Sequence, residues 1–116
     1  MTTESPLRTL LGTLLDAHRS AFDLREHATA FHALSAACHA AESLEDLEAL
    51  SGIHRLALDE LAWIDAHDPE NRLSTRVAEQ RHRQSIFVQL ATTAHGMRQR
   101  IEADRRIQMI HRDRRN

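Results

Sequence analysis

The chain has 116 residues, 41% of them hydrophobic, with fifteen arginines, no lysine, seventeen acids and a formal net charge of −2. One domain of this length buries somewhat over ~60% of its unfolded surface, so it needs neither disulfide nor metal to fold. A single cysteine, Cys38, excludes an internal disulfide, and no segment approaches the ~18 apolar residues of a membrane span. These features, with an N-terminus that lacks a basic-then-apolar leader, predict a cytoplasmic protein with no membrane partner.

Three Phe, one Trp and no Tyr leave the core to Leu, Ala and Ile, while two prolines and three glycines leave little material for turns. Few, long helices are therefore expected, and no stretch shows the period-2 alternation of a strand. Residues 1–4 are expected to be disordered. Ser5 and Pro6 supply a cap and a first helical position. From there Leu10, Leu14, Ala17, Ala21, Leu24, Ala28, Phe31, Ser35 and Cys38 keep alternating spacings of four and three. Because this phase does not shift at Asp23, one helix over 6–42 is expected, although Asp23 and Glu26 could also open a second as a capping box.

Ser43 is the expected cap of a second helix over 44–67, with Glu45 and Asp46 favourably placed in its first turn. Leu47, Leu50, His54, Leu58, Leu61 and Ile64 form its apolar face. Asp68, Pro69 and Glu70 then read as the start of a third helix over 69–112. Its seam is Phe87, Leu90, Ala94, Met97 and Ile101, running straight across Gly96. The result is a single all-α domain over 1–116: a long antiparallel bundle of three helices, long, short and long. A 44-residue helix is about 65 Å long, whereas a compact domain of this size is only about 35 Å across. The far end of the last helix should therefore pair with another copy, with the seam as interface and a homodimer completing the bundle.

Charge is divided along the chain. From residue 71 onward there are eleven arginines against four acids, a surplus of seven; residues 1–70 hold four arginines and thirteen acids, a deficit of nine. Arg98, Arg105, Arg106 and Arg112 on a basic last helix are the candidates for meeting phosphates. No aromatic is interleaved among them for base stacking. Internal pairing with the acidic half is the simpler account.

Nine histidines invite a search for metal ligands. No His-x-x-x-His occurs, and the Glu-x-x-His spacing of di-iron bundles occurs once, at Glu79 and His82. Arg81 and Arg83 flank that pair and repel a dication. His54, His32 and His39 are expected to be core or flank histidines, with a pH switch as the functional alternative. Cys38 and His39 are neighbours about 100° apart on a helix, so they do not form a nucleophile and base. No phosphate-cradling glycine loop or nucleophile elbow is present. The expectation is a non-enzymatic protein with no catalytic residue and no cofactor, which binds a second copy or another protein. Nucleic-acid binding is the alternative, and metal binding ranks third.

Overall fold

Three tight corners, none containing glycine, divide a chain that was expected to run in long helices. A computed structural model describes residues 5–115, so the segment 1–4 lies outside the described residues. The order is α1 (Pro6–Asp23), α2 (His27–Ser43), α3 (Leu47–His67), α4 (Thr75–Gln80) and α5 (Ile86–Arg115), with no strand among the described residues. The all-helical class stands, and the count of three helices is corrected to five.

The corners share one geometry. Arg25, Glu45 and His82 each have positive φ, at 61°, 51° and 55°. After each, a backbone N–H reaches back five residues: Glu26 to the Ala21 carbonyl at 2.9 Å, Asp46 to Ala41 at 3.0 Å and Arg83 to Ala78 at 2.9 Å. This closure satisfies the orphan carbonyls of a helix end and normally takes glycine at the left-handed position. The expected 6–42 helix thus breaks at Leu24-Arg25-Glu26. Leu24, which kept the seam in phase, is 74% exposed. Its spacing was coincidental.

The other boundaries shift for similar local reasons. Ser43 ends α2 rather than capping α3; the cap is Asp46, whose carboxylate accepts from the Ala49 N–H at 2.9 Å. Asp68-Pro69 opens a turn, not a helix. Ser74 caps α4 by accepting from Val77 N–H at 3.1 Å, and Asp65 takes the Thr75 N–H at 2.8 Å. The segment 69–112 is therefore a turn, a six-residue helix, a corner and then α5. Gly96 does not interrupt α5.

Side-chain pairs give the helix directions. Ile64 packs near Phe87, His54 bonds the Ala91 carbonyl at 3.0 Å, and Arg105 reaches the Glu45 carbonyl at 2.8 Å. As one number rises the other falls, so α3 and α5 are antiparallel. Phe31 meets Phe87, Cys38 meets Met97 and Glu42 meets Arg100, so α2 and α5 run parallel. The main core lies between α2, α3 and α5, where Leu34, Ala37, Cys38, Leu50, Ile53 and Ala57 meet the α5 seam. Burial pushes the Cys38 thiol up to about 11, so it stays a thiol in the folded protein. The radius of gyration is 16.9 Å, above the ~13 Å of a compact domain this long, because α5 runs past the body. No helix among the described residues is long and apolar enough to cross a membrane.

Two outcomes follow for the corners. Glu45→Gly removes the left-handed strain of about 1–2 kcal/mol but adds unfolded-state entropy worth about 0.5–1 kcal/mol. A small net gain in stability is expected in urea denaturation. Asp46→Ala should cost about 1 kcal/mol near pH 7. The Ala49 N–H, and after it Arg8, hold the Asp46 carboxyl below its ordinary value. Its stabilisation is present above the unfolded carboxyl range and is lost as pH falls through the lower folded value. The variant should lose that part of the acid dependence.

Candidate functional site

A carboxylate lies in the middle of the molecule. Glu60, on α3, is 1% exposed. His18 of α1 stands with Nε2 2.9 Å from Oε1, and His27 of α2 with Nδ1 3.0 Å from Oε2. A carboxylate oxygen accepts, so each imidazole donates one ring N–H to Glu60. Each carboxylate oxygen takes one N–H, and the three helices are joined at one point. Among the described residues no fully buried side-chain nitrogen or oxygen lacks a partner.

An aromatic cover closes this centre. The Phe22 ring stands edge-on to His27 at 5.8 Å and to Trp63 at 5.9 Å. The Arg25 guanidinium lies 3.9 Å from the Trp63 ring centre, and His67 stacks on the same indole at 4.4 Å. Arg25 is the residue of the first corner, so the turn that ends α1 also places a cation over the indole. Exclusion of water strengthens the hydrogen bonds beneath. Sequence reasoning did not bring His18, His27 and Glu60 together. The three lie on separate helices, and no local spacing connects them.

The residues singled out from sequence are dispersed. The interface candidates Phe87, Leu90, Ala94, Met97 and Ile101 are all buried within the protomer, covered by α2 and α3. The seam needs no second copy to cover it, because α2 and α3 already do so within the protomer. Glu79 lies in the last turn of α4, while His82 lies beyond its end at positive φ. The two do not share a helical face. Among the described residues no group of three or more His, Cys, Asp or Glu is arranged to hold a metal ion.

The arginine candidates separate into two groups. Arg98 donates to Glu102 at 2.9 Å and also to Ser51, and Arg105 donates to the Glu45 carbonyl at 2.8 Å. Arg100 reaches Glu42 at 3.3 Å. These three fasten α5 to the body or along itself. Arg106 and Arg112 lie on the exposed end of α5 and form no ion pair among the described residues.

Every residue from Asp104 to Arg115 is exposed. Within this arm Ile107 and Ile110 are 52% and 53% exposed. The seam that ends at Ile101 would continue through Asp104 and Gln108. The apolar stripe instead passes to Ala103, Ile107 and Ile110, about 100° around the helix. It does not point at the core that the seam serves. Comparison of the chain with known families, characterised proteins and solved structures gave no match.

Removing the central acceptor should be costly. Glu60→Ala leaves two buried N–H groups unpaired and opens a cavity, with an expected loss of about 3–5 kcal/mol in chemical denaturation. Glu60→Gln keeps the shape and one good acceptor, and should lose less.

Proposed function

We propose that the protein is a non-enzymatic helical interaction module that forms a homodimer through the projecting end of α5. The observation that carries this is the exposed Ile107–Ile110 stripe, which is unused within the protomer. The charges around it suit a second copy in antiparallel orientation. With Ile107 opposite Ile110 of the second copy, Arg106 falls beside Asp113 and Asp104 beside His111, by the pairing rules of antiparallel helices. Both flanking pairs then bring unlike partners together, which a parallel arrangement would not do.

The contact is short, and an interface under ~1,200 Å² belongs with transient associations. A reversible, concentration-dependent dimer is therefore the form proposed, in a reducing compartment such as the cytosol, which suits the lone thiol Cys38. Nucleic-acid binding has less support, since Arg98 and Arg105 are committed to Glu102, Ser51 and the Glu45 carbonyl.

Light scattering over a concentration series should show the mass rising from 13.2 kDa toward twice that value. Ile107→Asp with Ile110→Asp should weaken the dimer at least tenfold, because each buried isoleucine contributes about 1.5–3 kcal/mol. Helix content and melting temperature at low concentration should hold, since neither residue belongs to the core. Arg106→Asp alone should weaken association, and adding Asp113→Arg should restore it. A wild-type chain that stays monomeric at several hundred micromolar would overturn the proposal.

A further inference from the structure

Where α4 and its corner meet the first turn of α5, a cavity of about 230 Å³ is lined by Arg72, Arg81 and Arg83 together with Ser85. We infer that this cavity binds small phosphate monoesters through their dianionic phosphoryl group. No carboxylate lines it. Arg8, Arg76, Arg98 and Arg100 all have acidic partners, whereas none of the three cavity arginines forms an ion pair among the described residues. Three arginines thus line one cavity with no carboxylate in its wall, and an oxyanion supplies the counter-charge. Arginine's planar fork matches phosphoryl oxygens in pairs.

Ser85 adds a polar group to the wall of the cavity. It is only 6% exposed, and its Oγ accepts from the Phe87 N–H at 3.1 Å. Its hydroxyl belongs to the wall of the cavity and can also donate to a bound anion. The corner holds the cationic side in position: His82 has φ 55°, and Arg83 N–H is tied to the Ala78 carbonyl at 2.9 Å. Arg81 and Arg83 are therefore carried on a fixed turn rather than a free loop.

Size and charge narrow the ligand class. The cavity is smaller than the ~300–1,000 Å³ of sites for drug-sized molecules. It suits an anionic head group with a short substituent, not a whole dinucleotide. Three cations favour a dianion over the single charge of a phosphodiester, and the Ile86 side of the cavity gives the substituent an apolar wall.

The test is calorimetric titration of the full chain at pH 7.5 with inorganic phosphate, methyl phosphate and dimethyl phosphate, ionic strength being held constant with chloride. The first two should bind saturably and at least tenfold more tightly than the diester. Binding should weaken as pH falls below about 6, where a phosphate monoester loses its second charge. Arg81→Gln and Arg83→Gln should each weaken binding about tenfold with the circular dichroism spectrum and melting temperature unchanged. Equal or tighter binding of the diester would point to a nucleic-acid backbone and overturn the monoester assignment. Absence of saturable heat at matched ionic strength would overturn the site, as would undiminished phosphate binding in both variants.

Discussion

Glu60 is the constraint on which the arrangement depends. A lone carboxylate in an apolar interior is strongly disfavoured, and here both of its oxygens are occupied by imidazoles from two other helices. Those hydrogen bonds form only when α1, α2 and α3 are all in place. The centre therefore sets position as well as contributing contacts. Apolar packing of Leu and Ala tolerates small slides of one helix along another, whereas a two-pronged acceptor between two fixed donors does not. Phe22, Trp63 and Arg25 act on the same point from outside by keeping water away.

The seam of α5 was legible because its signal is local: five apolar residues at helical spacing, all of them buried. The proline start of α1 and the end of α3 at His67 were legible for the same reason. His54 and Cys38 also lie where their positions on apolar faces suggested, one bonded to a carbonyl and the other buried. The corners were not legible. Glycine is the usual sign of a left-handed helix end, and Arg25, Glu45 and His82 occupy those places instead. Counting glycines therefore undercounted the turns, and an uninterrupted spacing through Leu24 concealed the first of them. The buried centre was invisible for a different reason: it is a tertiary pairing between helices whose number had been misjudged.

Charge follows the same division between local and long-range. The split between an acidic first part and a basic last part is plain in the sequence. Which arginines are used internally is not, because that depends on the register of α5 against α2 and α3. Arg98, Arg100 and Arg105 fall where that register brings a carboxylate, a hydroxyl or a helix-end carbonyl within reach. Arg106, only one residue further, falls on the free arm. Such exposed pairs contribute little each. Their interest lies in separating the arginines that are committed from those that are not.

The arm beyond Arg105 has a thermodynamic character of its own. Its helix is continuous with α5, yet no tertiary packing supports it, and an isolated helical stretch of about ten residues is marginal in water. Its amides should therefore exchange with solvent through local fraying, while those between Phe87 and Ile101 wait for opening of the core. Any association through the arm first has to complete that helix, so part of the contact energy is spent on ordering rather than on affinity. Residues that raise intrinsic helicity at Gln108 or Arg112 would then tighten association without touching the interface.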